Sequence, residues 1–154
     1  MNFLLLEILL EPRRALELDG GQYAQLVRQG RSTGMLATLA LHLDKDSLLD
    51  ELPQQVRRHF NSAAILHEKQ KQDLAYDAGL LRQALESVSE KLVLLKGCAY
   101  LQAELPVSRG RLVSDIDIIV PHHRLNDVES TLNDYGWKSG DIDPYNERYY
   151  RQWM

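Results

Sequence analysis

Through residues 1–90, hydrophobic residues recur at intervals of three and four, and polar residues fill the positions between them. This spacing is typical of helices that bury one face. It predicts a broad-faced first helix, two shorter helices bounded by glycines, and a final helix longer than most in globular proteins. The predicted helices span residues 3–15, 22–29, 33–43 and 53–89, with breaks at Gly20-Gly21 and at Gly30.

After residue 91 the pattern changes to short apolar runs separated by turn signals. A continuous apolar run of four to six residues beside a Gly or Pro is typical of a buried strand. The predicted elements are strands over residues 92–95 and 115–120, helices over residues 98–105 and 122–135, and a third strand from Trp137. This order predicts an α/β (α+β) fold with a mixed sheet. We therefore expect a helical region over residues 1–90 and an α/β region over residues 91–154.

Composition narrows the class of protein. The chain has 154 residues, a hydrophobic fraction of 44% and a net charge of −4, which fits one soluble globular domain without a basic surface along its whole length. The apolar amino terminus lacks a basic start and a cleavage pattern, and it is too short to span a bilayer. The lone Cys98 fits a reducing compartment. We expect a cytoplasmic protein with no membrane partner.

Two carboxylates stand at the start of the second predicted strand, in the run Ser114-Asp115-Ile116-Asp117. Side chains alternate between the faces of a strand, so Asp115 and Asp117 would project to the same side, with Cα atoms roughly 6–7 Å apart. Carboxylates at that spacing can bind one Mg²⁺ or share a pair of ions. The competing interpretation is a solvated strand end whose charges only face water.

The first predicted strand ends at Lys96-Gly97, where a helix is predicted to start. A glycine lets the backbone approach a ligand closely, and a helix amino terminus offers unpaired N–H groups to a phosphate. Lys96 adds a positive charge. This turn is weak evidence by itself, but beside two metal-binding carboxylates it favours a metal-bound triphosphate, the arrangement that recurs in nucleotidyl transfer.

These residues resemble a known family. Leu94-Leu95-Lys96-Gly97, then Arg111, Ser114 and the Asp115-Ile116-Asp117 strand, are similar to the polymerase-β-like nucleotidyltransferase superfamily. They resemble in particular the bacterial uncharacterised nucleotidyltransferase family, whose members carry a Lys-Gly turn, an Arg and an Asp-x-Asp strand in that order. The specific motifs cover residues 92–121, and a weaker likeness extends to both sides.

The resemblance implies a fold and a chemistry. Residues 91–154 would form part of a nucleotidyltransferase core, with Asp115 and Asp117 as catalytic Mg²⁺ ligands. Lys96, Gly97, Arg111 and Ser114 would contact the triphosphate of ATP or another nucleoside triphosphate. A nucleoside monophosphate would then pass to an unknown hydroxyl acceptor on a protein, a small molecule or an RNA end.

The resemblance also implies a third carboxylate on a later strand. The chain stops in a polar and aromatic segment, so we expect it to be an amino-terminal fragment of a longer protein with an incomplete site. Such a fragment would expose sheet surface, on which a homodimer could form. An alternative function is a non-catalytic nucleotide-binding or protein-interaction module whose working surface is the long helix.

Several other residues that could suggest a site are expected to have ordinary structural roles. The pair His122-His123 follows Pro121 at a predicted helix start and is expected to face solvent or a base rather than a metal. His59 and His67 are given no site role, and Cys98 is expected to be a small buried residue. Asp141-Ile142-Asp143 precedes Pro144 and is expected to form a turn. The aromatic residues expected to pack, or else to stack on a base, are Tyr145, Tyr149, Tyr150 and Trp153.

Overall fold

The structure is a computed structural model, and it describes residues 3–88 and 92–138. Helices make up most of the described chain, and a small sheet follows the longest of them. The predicted turn at residues 141–143 and the four predicted aromatic contacts, Tyr145, Tyr149, Tyr150 and Trp153, lie outside the described residues.

The first half of the chain is helical, as its hydrophobic spacing predicts. Its elements are α1 (Leu4–Leu10), α2 (Gly20–Ser32), α3 (Leu36–Lys45) and α4 (Gln54–Leu85), with 3₁₀ turns at Pro12–Glu17 and Leu49–Glu51. The first helix was predicted to continue to residue 15 but ends at Leu10. Pro12 explains the early stop, because proline disfavours helical backbone in the residue before it, and Glu11 is accordingly non-helical.

The prediction that Gly20-Gly21 breaks the helical pattern is wrong. These glycines form the first turn of α2, which Asp19 caps. The Asp19 carboxylate accepts a hydrogen bond from the Gln22 N–H (2.8 Å), and the Gln22 side chain accepts one from the Asp19 N–H (2.9 Å). This reciprocal capping box satisfies two backbone donors that a helix start leaves unpaired, which offsets the low helix propensity of glycine. The helix also continues past Gly30 to Ser32.

The helices enclose a core of mostly aliphatic side chains, together with Phe60 and Tyr23. The largest side chains that are almost fully buried include Ile8, Leu26, Leu39, Leu43 and Phe60. They come from α1, α2, α3 and α4, so each helix contributes its apolar face to one cluster. Packing of this kind stabilises helices that would be marginal alone.

The second half begins with a strand after residue 91. The elements are β1 (Val93–Leu94), α5 (Lys96–Gln102), a 3₁₀ turn at Pro106–Ser108, β2 (Ile118–Ile119), a 3₁₀ turn at His122–Arg124, and α6 (Leu125–Asp134). The two strands are antiparallel, with Val93 opposite Ile119 and Leu94 opposite Ile118. Both predicted strands are confirmed, but each is shorter than its apolar run.

The fold class is therefore partly as predicted. The described chain is mostly helical with a two-stranded antiparallel sheet, and a larger mixed sheet is not among its described elements. The third strand was predicted to start at Trp137. Trp137 and Lys138 have no strand pairing, and the rest of that predicted strand lies outside the described residues.

The chain divides into two compact units, each formed from two separate stretches. One unit comprises residues 1–74 and 96–115, and the other comprises residues 75–95 and 116–154. The second unit has its own apolar cluster, in which Leu81 and Leu85 of α4 pack with Val128 and Leu132 of α6. The predicted boundary between regions 1–90 and 91–154 falls at residues 89–91, outside the described residues, and stays a prediction.

Within residues 3–88 and 92–138, every helix is too short or too polar to cross a membrane.

Candidate active site

The sheet brings Asp117 next to the end of the first strand. One step beyond the β1–β2 ladder, the Leu95 N–H donates a hydrogen bond to the Asp117 carbonyl oxygen at 2.8 Å. This bond continues the antiparallel pairing, so Asp117 lies opposite Leu95. Leu95 directly precedes Lys96 in the chain, so the second predicted carboxylate is paired with the residue that leads into the Lys-Gly turn.

The two carboxylates differ in their surroundings. Asp115 and the preceding Ser114 are exposed, whereas Asp117 is half-buried. The strand was predicted to start at Asp115, but β2 begins only at Ile118, because β1 offers a ladder of two residues. The boundary between the two compact units falls directly after Asp115. The shared face of Asp115 and Asp117 therefore stays a prediction.

Lys96 opens α5 with an unusual backbone. Its φ angle is +47°, in the left-handed region that residues other than glycine seldom occupy. Side chains with a Cβ carry a cost of about 1–2 kcal/mol there. The side chain is exposed. Helix α5 starts at Lys96, two residues earlier than predicted, and has only seven residues. Because the helix is short, a phosphate at this turn would depend more on the charge of Lys96 than on the helix dipole.

Gly97 is buried because α5 packs closely against the loop that leads to Asp115. A Cβ atom at position 97 would lie 2.7 Å and 2.8 Å from the two methyl carbons of Val113. Ordinary carbon contacts are longer than this, at about 3.5–4.0 Å. Val113 is itself buried. The glycine is thus explained by packing, and its predicted place under a triphosphate stays a prediction.

Hydrogen bonds from α4 hold the loop that carries Arg111. The Gly110 N–H donates to Nε2 of His67 at 3.2 Å, and the Val113 N–H donates to Oε1 of Gln70 at 3.3 Å. The three-residue spacing of His67 and Gln70 places both on one face of α4. Arg111 therefore lies between two backbone groups that α4 anchors.

Helix α3 touches the same loop. The Thr38 hydroxyl donates to the Arg109 carbonyl at 3.4 Å. Gly110 has a φ angle of +74°, and a Cβ atom there would lie 2.3 Å from the backbone N and Cα of Thr38. Only glycine fits this close approach. The loop is held from two helices and has little freedom to shift.

Positive side chains gather around this loop. Arg111 is exposed, and its guanidinium carbon lies 6.0 Å from the centre of the Tyr100 ring, at the outer limit of a cation–π contact. A polar cavity of about 220 Å³ adjoins the loop. It is lined by His67, Lys71, Leu101, Glu104, Ser108 and Arg109. The loop that carries the predicted phosphate contact Arg111 thus borders a cavity lined by two further cations, Lys71 and Arg109, and by one acid, Glu104.

The sequence reasoning gave His67 no role, but it is buried and accepts the Gly110 hydrogen bond. Its partner lies 43 residues away along the chain, so spacing alone could not reveal the contact. The interpretations of three other residues are confirmed: His122 and His123 are exposed, and Cys98 is buried. Among the described residues, no three or more His, Cys, Asp or Glu side chains are grouped so that they could hold a metal ion.

Comparison with known proteins gives one match. A family model described as an uncharacterised nucleotidyltransferase matches residues 20–152. No curated protein and no solved structure matches the chain. The matched range includes the Lys96-Gly97 turn, the Arg111 loop and both aspartates, and it covers well over half of the sequence. The chain belongs to the uncharacterised nucleotidyltransferase family.

Proposed function

We infer that this chain carries the metal and triphosphate end of a Mg²⁺-dependent nucleotidyltransferase site. Asp115 and Asp117 would hold Mg²⁺, and the cations Lys96 and Arg111 would contact the triphosphate of ATP or another nucleoside triphosphate. The observation that carries the proposal is the hydrogen bond from Leu95 to Asp117, because it joins the aspartate strand to the residue before Lys96. Family membership supports the reaction class.

The donor chemistry at this position suits Mg²⁺. Carboxylate oxygens are hard ligands, which Mg²⁺ prefers, and it is usually held by one or two of them together with water and substrate phosphates. Asp115 is exposed, so a hydrated ion can reach its carboxylate, and Asp117 is half-buried. When bound, Mg²⁺ neutralises charge that develops on the phosphates during transfer.

The remaining residues position and neutralise the triphosphate. Arg111 presents a planar guanidinium that can hold two phosphate oxygens at once, and Lys96 supplies a compact charge. The anchored Gly110 and Val113 amides hold the backbone of Arg111 in place, which lowers the ordering cost of each binding event. The Ser114 hydroxyl, exposed beside Asp115, offers a further donor.

The transfer itself is a displacement at the α-phosphorus. The acceptor hydroxyl oxygen forms a bond to that phosphorus, the bond to the bridging oxygen of the β-phosphate breaks, and pyrophosphate leaves. The hydroxyl proton passes to a base or to water. The acceptor is a hydroxyl on a protein, a small molecule or an RNA end.

The test is calorimetric titration of the full chain with the α,β-methylene analogue of ATP, with Mg²⁺ and with EDTA. Asp115→Asn and Asp117→Asn keep the side-chain shape but remove the charge. We expect Mg²⁺-dependent binding in the wild type and at least a tenfold loss in each variant, on the order expected for a charged contact. The exposed Asp134→Asn on α6 is the matched control. Equal binding by all four proteins would refute the metal role.

A second experiment separates transfer from binding. Wild-type protein that binds the analogue but releases no pyrophosphate from ATP, with cell extract supplied as a source of acceptors, would favour the non-catalytic nucleotide-binding module. Pyrophosphate release that requires both aspartates would support the enzyme.

A further inference from the structure

A second cavity lies on the helical side of the Arg111 loop, within the unit that contains residues 1–74 and 96–115. Its volume is about 250 Å³, enough for a small organic molecule. Its lining comes from the end of α2, the start of α3 and the turn between them, from α4, and from the loop: Gly30, Arg31, Gly34, Leu36, Ala37, His59, Ser62, Ala63, Leu66 and Leu112.

The cavity has an apolar body because small and aliphatic residues form most of its wall. Gly34 adopts a φ angle of +69°, and no atom lies within 4 Å of where its Cβ would be. Leu66 and Leu112 line the cavity and keep 54% and 41% of their surfaces exposed. A ligand that covers these two leucines removes apolar surface from water, which favours an apolar occupant.

One part of the wall is polar and offers hydrogen-bond donors. The Arg31 guanidinium lies 3.1 Å from Nδ1 of His59. Arginine is always a donor, so Nδ1 of His59 must accept, and the ring proton must be on Nε2. The pair therefore presents the remaining guanidinium N–H groups and an imidazole N–H. Among the described residues none of those lining the cavity is acidic.

We propose that this cavity binds a small amphipathic molecule with a compact apolar body and one anionic group, a carboxylate or a phosphate ester. The apolar body contacts Leu66 and Leu112, and the anion is held by Arg31 with support from His59. Charge complementarity selects this occupant over a neutral or cationic one of the same shape. The Arg31–His59 hydrogen bond orients both groups before the ligand arrives.

The site goes beyond the proposed nucleotidyl transfer and does not depend on it. It does share a structural element with it, since Leu112 lies between Arg111 and Val113 on the anchored loop. A ligand in the cavity would contact the loop through Leu112. Binding is measured without nucleotide, so a negative result here leaves the proposed transfer function untouched.

The experiment compares three probes of matched size by amide chemical-shift titration of the full chain: hexanoate, 1-hexanol and hexylammonium. We expect shifts at the cavity-lining amides Gly30, Gly34, Ala37 and Leu112, with hexanoate binding about tenfold more tightly than the alcohol. The cationic probe should bind most weakly.

Two variants and one control sharpen the assignment. Arg31→Gln should remove the preference for hexanoate over 1-hexanol, while Arg28→Gln, a change to an exposed residue on the same helix, should leave it intact. Ala63→Leu should fill the cavity and weaken all three probes. The wild-type dispersion of amide signals in each variant reports whether it remains folded.

The outcomes divide cleanly. A carboxylate preference that depends on Arg31 and maps to the cavity supports the proposal. Equal affinity for the three probes, a preference unchanged by Arg31→Gln, or shifts spread over other exposed apolar residues would each overturn it.

Discussion

Replacing Gly97 by alanine tests why the first turn of α5 carries a glycine. The new methyl carbon would lie 2.7 Å and 2.8 Å from the two Val113 methyl carbons, both far inside normal contact distance. Gly97 and Val113 cannot move freely, because both are buried and the Val113 N–H donates a hydrogen bond to Gln70. The alanine must therefore push apart α5 and the loop.

The size of the effect follows from this overlap. Overpacking of this kind costs about 1–3 kcal/mol of unfolding free energy. Val113→Ala alone removes two buried methyl groups, worth about 0.8 kcal/mol each, or roughly 1.6 kcal/mol before any cavity term. The same change deletes the two atoms that collide with alanine at position 97. The double variant Gly97→Ala/Val113→Ala should thus be more stable than the sum of the single changes, by about 1–3 kcal/mol.

The assay is urea unfolding followed by circular dichroism at 222 nm, for the wild type, both single variants and the double variant. Gly79→Ala on α4 is the control, because apart from its chain neighbours and the backbone of its own helix no atom lies within 4 Å of its would-be Cβ. It should be neutral or stabilising by about 0.5–1 kcal/mol. Single changes that add within about 0.5 kcal/mol would refute the packing argument. A stable double variant that has lost nucleotide binding would show that Gly97 also serves the triphosphate.

Three further predictions concern the loop and the core. His67→Leu should lower the unfolding free energy by about 1–3 kcal/mol in urea titration, because it leaves the buried Gly110 N–H unpaired, and His67→Gln should lower it less. Equal losses for the two would contradict this. Gly110→Ala should abolish the native amide dispersion or cost more than about 3 kcal/mol, because its Cβ would collide with the Thr38 backbone. A native spectrum with unchanged stability would show that the Gly110 and Thr38 backbones lie farther apart than the structure indicates. Burial raises the pKa of Tyr23, whose hydroxyl donates to the Ala15 carbonyl. The folded pKa then exceeds the unfolded one, so stability is intact below about pH 10 and falls as pH rises through the folded pKa. Tyr23→Phe should flatten that fall, and an equally steep loss in the variant would refute its origin.

Much of the fold can be predicted from features that are local in the sequence. The hydrophobic spacing gave the helices, and Pro12 and the Asp19–Gln22 capping box mark boundaries that can be read from the chain. The capping box shows how a signal can be overlooked. Gly20-Gly21 suggests a break by propensity, but Asp and Gln at the cap and third positions satisfy the backbone donors and outweigh that cost.

The arrangement of the site was less predictable, since it depends on contacts distant in sequence. The pairing of Asp117 with Leu95 sets the length and register of the strand. Leu95 can be identified as the partner only from the folded structure. The anchoring of the Arg111 loop by His67 and Gln70 joins residues 43 positions apart. The sequence predicts that Gly97 lies at a strand-to-helix turn, but it does not predict that Gly97 packs against Val113.

In the proposed site, Asp115 and Asp117 hold a divalent ion beside the Lys96-Gly97 turn. The most direct measurement is paramagnetic broadening of amide signals by Mn²⁺, which shares the oxygen preference of Mg²⁺, with a nonhydrolysable nucleoside triphosphate present. We expect the signals of Asp115, Asp117, Lys96 and Gly97 to broaden first and to be restored by excess Mg²⁺. Broadening centred elsewhere on the chain, with these four signals unaffected, would contradict it.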